Sequence, residues 1–461
     1  MYILDTNSKV PLHKQLYTQL KDDITNNLKI GDKLPSIRKI ATTYNISKTT
    51  VQNAYSQLYA EGYIDSKNRS GYYVCEVLFD ASVKQSVKRK VKRCKELYRY
   101  DFFPAQLHSS DFPLKIWKRL FTKVVNPDIN FGAYPDAKGE SVLREQIALY
   151  LQNSRAVNAD ADSIIITHGF ADSMELIAKL LKQKHSSFAI ESPGYHLAKR
   201  VFVNYGYKVT DIAVNQDGLE VDKLAKSGAE IVYITPSHQY PTGVVMPVYK
   251  RVKLLKHIGK IGGVIIEDDY DSELAYYNRP IPSLQGLDTQ NRVIYLGTFA
   301  KALSPAIRVG YMVVPNWFLK EFSKSYDAHF ARVSATTQLT LAKFIEDGYF
   351  DKQIRRVRTI NKNKHNKMLS AIKKYCKNYK VIAQGAGLAI LISPTKPFDF
   401  EKLQELAIAR SLKIYLTQNV TNSDFKAVRL GFGGFDLEEI EDAILEFSGV
   451  WHGSFIGVPL N

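Results

Sequence analysis

Cysteine is scarce in this sequence, and long apolar runs are missing from it. The three cysteines, Cys75, Cys94 and Cys376, are too few and too scattered for a disulfide framework or a zinc cluster. Residues 1–15 lack a basic start followed by an apolar stretch, and no later segment approaches the ~18 consecutive apolar residues of a membrane span. We therefore expect a cytoplasmic protein with no bound metal and no membrane partner.

Acidic residues are also in the minority. Lysine and arginine number 63 against 46 acidic residues, which gives a formal net charge of +17 and a sequence pI near 9.4. Such a surplus favours a polyanionic partner, such as nucleic acid or an anionic membrane face. The chain has 461 residues, of which 45% are hydrophobic, so it is long enough for two or three globular units.

Residues 1–75 carry the pattern of a small helical unit. Gly31 and Pro35 follow a first apolar stripe, and Ser36 and Ser47 are placed to cap two further helices. The pattern predicts three helices, of which the second and third form a helix-turn-helix. The first stripe recurs at every fourth position and comprises Leu12, Leu16, Leu20, Ile24 and Leu28.

The third helix and the segment after it offer groups suited to DNA. After Gly62, two short aromatic strands flank a polar turn, residues 67–71, with Arg69 near its tip, which is the pattern of a wing. A helical bundle for protein contacts, whose hydroxyls only cap helices, is the alternative. The side chains at the outer, N-terminal end of the third helix suit base edges and phosphates, and they are Lys48, Thr49, Thr50 and Asn53.

Residues 76–99 form a basic segment in which the apolar periodicity fades. Charge repulsion should keep this segment extended, so that it acts as a tether or adds contacts to DNA phosphates. The predicted organisation is a DNA-binding unit at residues 1–75, a linker at residues 76–99 and a large unit at residues 100–461.

The large unit alternates β-branched runs with helical patterns. This order predicts an α/β fold with a mostly parallel sheet and helices on both of its faces. Ligands of such sheets gather outside the carboxyl ends of the strands, so the residues after each run are candidates for a site. The runs are SIIITHG, SSFAIESPG, AEIVYITPS, GGVIIEDD and RVIYLGTF.

Chemically distinctive residues stand at three of these strand ends. Residues 169–171 open a predicted helix, whose free amides can bind a phosphate. Lysine and aspartate at neighbouring strand ends suit pyridoxal 5'-phosphate (PLP), since the lysine can form a Schiff base and the acid can keep the pyridine nitrogen protonated. The candidates are Gly169, Phe170, Ala171, Asp268, Tyr270, Thr298, Lys301 and Arg308.

Each of these candidates has a plainer interpretation. In a chain with 63 basic residues, Lys301 could be an ordinary solvated lysine, and Asp268 could belong to an acidic surface turn. The residues alone leave this choice open. In the PLP interpretation, Tyr270 would hydrogen-bond the ring oxygen, while Thr298 and Arg308 would hold the phosphate.

Three runs in the first unit resemble the GntR-type winged helix over nearly its whole length. They are PLHKQLYTQL, GDKLPSIRKIATTYNISKTTVQNAYSQLYAEGYI and RSGYYV. The resemblance implies binding to double-stranded promoter DNA. The positions that match the family's DNA-contacting residues are Arg38, Ser47, Lys48, Thr49, Thr50, Arg69 and Gly71.

Motifs of the large unit closely resemble fold-type I aminotransferases. With the winged helix before it, the chain is similar to the MocR/GabR type of regulator. The resemblance covers nearly the whole chain, and it implies bound PLP, a homodimer and a smaller C-terminal subdomain. The motifs are YPDAKGESVLREQI, ESPGY, TPSHQYPTGVVMP, VIIEDDYDSEL and RVIYLGTFAKALSPAIRVGYMV.

The resemblance assigns roles residue by residue. Lys301 matches the Schiff-base lysine, Asp268 the pyridine partner and Tyr270 the ring-oxygen partner. Tyr195 matches the aromatic residue that stacks on the ring, and Tyr134 resembles a tyrosine that reaches a phosphate across the dimer interface.

Other positions concern the ligand or depart from the aminotransferase pattern. Arg429 matches an arginine that binds the α-carboxylate of the substrate, although a simple salt bridge is the alternative. His238, a further candidate for binding the cofactor, lies in the SHQYPTG loop, where Tyr240 replaces the usual asparagine. Ala300 replaces the serine of GTFSK.

Three functions remain open for this combination. The first, which we favour, is a transcriptional regulator and not an enzyme, in which aldimine formation at Lys301 senses PLP or an amino compound. The second is an active aminotransferase with an accessory DNA-binding unit. The third, a scaffold that has lost PLP, is disfavoured by the complete set of Lys301, Asp268 and Tyr270.

Overall fold

A computed structural model describes most of the chain in two compact units, Met1–Lys95 and Glu96–Asn461. The described residues are 2–6, 8, 10–67, 70–75, 98–126, 129–277, 281–326, 331–417 and 425–456. The predicted basic linker falls mainly on residues 76–97, which lie outside this part of the chain, so the boundaries at residues 75 and 99 stay predictions.

Three helices and a two-stranded hairpin build the small unit. Ser36 and Ser47 cap the second and third helices as predicted, because their hydroxyls accept from the amides of Lys39 and Thr50 at 3.2 and 3.0 Å. The hairpin strands pair antiparallel, Ile64 opposite Val74. The elements are α1 (Leu12–Asn26), α2 (Ile37–Thr43), α3 (Lys48–Ala60), β1 (Ile64–Lys67) and β2 (Gly71–Val74).

The first helix is shorter than its apolar stripe. It ends at Asn26, where the Asn27 amide donates to the Asp23 carbonyl and the Asn27 side chain donates to the Asp23 carboxylate at 2.7 Å. Asparagine has a low helix propensity, so the last stripe residue, Leu28, packs against the core from outside the helix. The three stripe residues in the middle, Leu16, Leu20 and Ile24, are buried in the core of the unit.

Eleven helices are described in the large unit. Most of them pack on the two faces of a central sheet or against the smaller C-terminal sheet. They are α4 (Leu114–Val124), α5 (Ser141–Arg155), α6 (Phe170–Leu181), α7 (His196–Asn204), α8 (Val221–Ser227), α9 (Val248–Ile261), α10 (Asn316–Tyr326), α11 (Ala335–Glu346), α12 (Tyr349–Tyr375), α13 (Phe400–Ala409) and α14 (Glu439–Gly453).

The central sheet is mostly parallel and has eight strands in the order β4-β11-β10-β9-β8-β5-β6-β7. The five predicted runs form β4, β5, β8, β9 and β10. The last four of these pair parallel with one another, whereas β10 and β4 each pair antiparallel with β11. The strands are β4 (Ile164–Thr167), β5 (Ser187–Ser192), β6 (Lys208–Asn215), β7 (Gly218–Leu219), β8 (Ile231–Ile234), β9 (Val264–Asp269), β10 (Val293–Thr298) and β11 (Gly310–Val313).

The smaller C-terminal subdomain is built on a four-stranded antiparallel sheet in the order β12-β13-β16-β15. Its hydrophobic core also includes residues of α12, α13 and α14. This arrangement confirms the α/β fold class that the sequence predicts. The strands of this sheet are β12 (Tyr379–Ala383), β13 (Ala389–Pro394), β15 (Tyr415–Leu416) and β16 (Val428–Gly431). Two further short strands, β3 (Tyr100–Asp101) and β14 (Leu412–Lys413), pair with each other in a separate two-stranded sheet.

In the part of the chain that the structure describes, no helix combines the length and the apolar character needed to cross a bilayer.

The candidate cofactor-binding residues lie around the carboxyl ends of β4, β8, β9 and β10, at one edge of the central sheet.

Candidate cofactor cleft and DNA-binding surface

The predicted DNA-contacting residues lie at the start of α3, on α2 and at the hairpin. Arg38, Lys48 and Thr49 are exposed, as are Asn53 and Gly71. Arg69 lies outside the described residues, and its role stays a prediction.

Two of the predicted DNA-contacting hydroxyls also hold the helix. Besides accepting from the Thr50 amide, the Ser47 hydroxyl lies 2.8 Å from the Thr50 hydroxyl. The capping role that the alternative interpretation assigned to these groups is therefore present in the structure. Capping and contact with DNA do not conflict, because a hydroxyl that accepts one bond can still donate or accept another.

The large unit contains a cavity of about 580 Å³ at the carboxyl ends of the central strands. A cavity of this size suits a cofactor together with a small ligand. The predicted residues that line it are Gly169, Phe170, Ala171, Tyr195, His238, Asp268, Tyr270, Thr298, Lys301, Arg308 and Arg429. Of the residues predicted for the cofactor and effector, Tyr134 is the one that does not line this cavity, and its side chain is exposed.

Lys301 follows β10 and faces the cavity. Burial lowers the pKa of its ammonium to about 8, with Arg429 contributing in the same direction, although the Asp271 carboxylate acts against this shift. A larger fraction of the amine is therefore neutral near physiological pH than for a solvated lysine. A neutral, buried amine is the nucleophile that attack on an aldehyde requires.

Asp268 lies near the end of β9 with its carboxyl group buried. Burial raises its pKa to about 7, while the Tyr233 hydroxyl, which donates to Oδ2 at 2.6 Å, opposes the shift. A cation beside this carboxyl would favour its ionised form. The site therefore suits a positively charged ring nitrogen beside Asp268.

A cradle for an anionic group forms where β4 leads into α6. Gly169 precedes this helix with φ +96°, and a Cβ there would lie 3.1 Å from the guanidinium of Arg308. Arg308 Nη2 donates to the His168 carbonyl at 3.1 Å, which holds the guanidinium beside the helix N-terminus. Thr298 lines the same cavity, and its hydroxyl accepts from the Ala300 amide at 3.1 Å. Helix amides, an arginine and a hydroxyl are suitable ligands for a phosphate.

Aromatic side chains form one wall of the cavity. The ring of Tyr195 lies 5.1 Å from that of Tyr240, and the ring of Tyr240 lies 6.2 Å from that of Tyr270. The guanidinium of Arg429, on β16, lies 4.9 Å from the centre of the Tyr240 ring. No carboxylate pairs with Arg429 among the described residues, so the predicted alternative of a salt bridge is absent there.

The pairing of Asp271 with His238 is not apparent from the sequence. Asp271 Oδ2 lies 2.8 Å from His238 Nδ1, and both residues line the cofactor cavity as well as a second cavity of about 680 Å³. Asp271 belongs to the run EDDYDSE, whose spacing shows only that an acid follows Tyr270. The contact with a loop that follows another strand depends on the strand order, which the sequence does not specify.

A buried ion pair supports β9 from behind the cavity. Arg155 Nε donates to Asp269 Oδ2 at 2.6 Å, and the Tyr295 hydroxyl donates to the same oxygen at 2.7 Å. The side chains of Arg155 and Asp269 are 4% and 1% exposed. Removal of one partner would leave a buried charge uncompensated.

We therefore expect Asp269→Ala to lower the free energy of unfolding of the large unit by about 3–5 kcal/mol. Denaturation followed by tryptophan fluorescence measures this unit specifically, because Trp117, Trp317 and Trp451 all lie within it. The matched control is Asp222→Ala, which breaks an exposed ion pair and should cost less than about 1 kcal/mol. Equal losses in the two variants would show that the buried pair has no special role.

A winged helix followed by an aminotransferase fold, with a lysine and an acid in one buried cleft, defines a class of transcriptional regulator. Residues 12–74 match the family described as "Bacterial regulatory proteins, gntR family", and residues 109–445 match "Aminotransferase class I and II". The chain belongs to both families and combines them in the MocR/GabR arrangement.

Similar proteins share this arrangement over nearly their whole length. The chain is 34% identical to the uncharacterized HTH-type transcriptional regulator YhdI of Bacillus subtilis, covering 97% of each chain. It is 30% identical to the probable rhizopine catabolism regulatory protein MocR of Rhizobium meliloti, covering 96% of this chain and 94% of that one. The protein is therefore a DNA-binding transcriptional regulator with an aminotransferase-like domain.

Solved structures confirm the fold of the large unit. The kynurenine aminotransferase of Pyrococcus horikoshii, solved in complex with PMP, has a TM-score of 0.68 and 23% identity. The match covers 82% of this chain and 97% of the aminotransferase.

Proposed function

We propose that this regulator binds PLP covalently at Lys301 and that PLP, or an amino compound that reacts with it, controls binding to promoter DNA. The observation that carries the proposal is the meeting of Lys301 and Asp268 in one cavity with an anion cradle at its edge. The chemistry of this set fits the aldehyde, the ring nitrogen and the phosphate of PLP in turn.

PLP supplies an aldehyde that condenses with amines and a ring that withdraws electrons. Lys301 would hold the aldehyde carbon, Asp268 would keep the ring nitrogen protonated, and Tyr270 would face the ring oxygen. The remaining proposed contacts are the stacking of Tyr195 on the ring and the binding of the phosphate by residues 169–171, Thr298 and Arg308. Tyr134 keeps its proposed role at a phosphate of the partner subunit, which requires a homodimer.

Arg429 is the proposed contact for a carboxylate on the effector. Its guanidinium has no carboxylate partner among the described residues and is oriented by the Tyr240 ring. It shares the cavity with Lys301, so a molecule with both an amine and a carboxylate can reach both groups.

Replacement of Arg429 by leucine should weaken the response to amino acids by about 10- to 100-fold, which corresponds to the ~1.5–3 kcal/mol of a charged hydrogen bond. The measurement is a titration of the PLP-loaded protein followed through its visible absorbance. A matched amine without the carboxylate serves as the control ligand, and its response should be almost unchanged. An equal loss for both ligands would contradict the assigned contact.

The proposal is tested by measuring DNA affinity of the full chain without PLP, with PLP, and with PLP plus candidate amino compounds. A ligand can alter this affinity only if it favours one arrangement of the protein over another. A change that requires Lys301 supports the regulator. DNA affinity that is the same in all three conditions contradicts it.

An active aminotransferase is the second candidate, because the residues that would sense an amine are the same ones that would catalyse its transfer. Incubation with amino donors and keto acids distinguishes the two functions. Sustained multiple turnover would favour the enzyme, whereas reaction limited to a single equivalent agrees with a regulator.

A further inference from the structure

The contacts of His238 and Asp271 extend to the hydroxyl group of Tyr270. That hydroxyl lies 3.2 Å from His238 Nδ1, and it donates to the His238 backbone carbonyl at 3.1 Å. Asp271, His238 and Tyr270 therefore form a continuous polar chain that ends at the residue assigned to the cofactor ring oxygen.

Two glycines make room for this chain. Gly243 and Gly387 have φ values of +75° and +69°. A Cβ on Gly243 would lie 3.1 Å from His238 Nε2, and a Cβ on Gly387 would lie 2.7 Å from Asp271 Oδ2. The backbone thus fits the two side chains closely and keeps the imidazole in one orientation.

The environment of the ring places a proton on Nδ1. His238 Nε2 is buried and has no hydrogen-bond partner among the described residues, so a neutral ring with its proton there would leave a buried donor unsatisfied. A proton on Nδ1 is instead shared between the Asp271 carboxylate and the Tyr270 oxygen. The charged imidazolium also carries this proton, so Nδ1 is a donor in both protonation states.

Charged groups surround the pair from several elements. Burial lowers the pKa of His238, whereas the carboxylates of Asp271 and, to a smaller extent, Asp269 raise it. Together the two carboxylates outweigh burial, so the net shift of the pKa is upward. The other ionisable groups that line the two cavities beside the pair are Arg155, Tyr195, His196, Tyr233, Tyr240, Asp268, Tyr270, Tyr277, Lys301, Arg308, His365 and Arg429.

On the basis of the proposed function, we propose that His238 and Asp271 are positioning residues that strengthen Tyr270 as a hydrogen-bond donor to the ring oxygen of bound PLP. The Tyr270 hydroxyl has one proton, which in this structure points to the His238 carbonyl, so donation to PLP requires that the hydroxyl rotate toward the ring oxygen while it accepts from Nδ1. A hydroxyl whose oxygen accepts one hydrogen bond becomes a better donor in the next. Stronger donation stabilises negative charge on the ring oxygen. The pair thereby lowers the pH at which the lysine-bound cofactor loses its proton.

The test is a pH titration of the visible absorbance of the PLP-loaded full chain. His238→Leu removes the Nδ1 donor and replaces the imidazole with a side chain of similar volume. The midpoint should move about one pH unit upward, because negative charge on the ring oxygen is then less stabilised and the neighbouring proton is held more tightly. His238→Asn, whose amide can replace Nδ1–H, should lie closer to the native midpoint. In a Tyr270→Phe background, His238→Leu should cause no further shift.

The outcomes separate this inference from a direct electrostatic effect and from the proposed function. A shift from His238→Leu that persists in full with Tyr270→Phe would overturn the inference, as would an unshifted or lowered midpoint with normal absorbance. A native chain that develops no Lys301-dependent absorbance with PLP would overturn the proposed function itself.

Discussion

Replacement of Lys301 by alanine should abolish the visible absorbance that the native chain acquires with PLP. The expected loss is complete, because Lys301 supplies the amine that bonds the aldehyde. The response of DNA binding to PLP should disappear with it. Binding to DNA in the absence of PLP should remain, since the small unit contains its own hydrophobic core.

A second lysine provides the matched control for this experiment. Lys250 is also buried, and burial lowers its pKa, but it binds Asn215 and the Gly218 carbonyl and does not line the cofactor cavity. Lys250→Met should keep the absorbance. Reduction with borohydride followed by peptide mapping should then locate the cofactor on Lys301, and a label on any other lysine would contradict the assignment.

The central strands were predictable because burial on both faces requires nearly continuous apolar sequence. β4 is the run Ile164–Thr167, and β9 begins with a similar apolar run. β6, Lys208–Asn215, was not identified, because the exposed Asp211 and the half-buried Thr210 interrupt its apolar residues. β11, Gly310–Val313, was not identified either, and its own residues do not indicate that it pairs antiparallel with β10 and β4.

Residues of the candidate site were predictable to the extent that a strand end fixes them. Lys301, Asp268 and Gly169 each follow or end a recognisable strand, and parallel strands bring such residues to one edge of the sheet. Contacts between loops could not be predicted in this way. The bonds of Tyr233 to Asp268 and of His238 to Asp271 require β8 and β9 to be neighbours, which is a property of the strand order.

The DNA-binding surface of the small unit leads to the second large effect. Arg38 and Lys48 are exposed on α2 and α3, where the GntR resemblance places DNA-contacting residues. If both side chains neutralise phosphates, their joint replacement by alanine should lower DNA affinity by about 10- to 100-fold at moderate salt. The slope of log affinity against log salt should fall by about 2, because each lost phosphate contact removes roughly 0.9 from it.

The salt slope is the decisive measurement, since a loss of affinity alone could also arise from a damaged fold. Lys14→Ala is the matched control, because it removes one positive charge from an exposed position on α1 that the GntR resemblance does not match to a DNA contact, and it should change the slope little. Ser47→Ala tests the fold instead. It should cost about 1 kcal/mol of stability through the lost cap. A slope that is unchanged by the loss of Arg38 and Lys48 would assign the phosphate contacts to other basic residues. Residues 76–99 would then be the first segment to neutralise by substitution, because Lys and Arg dominate it.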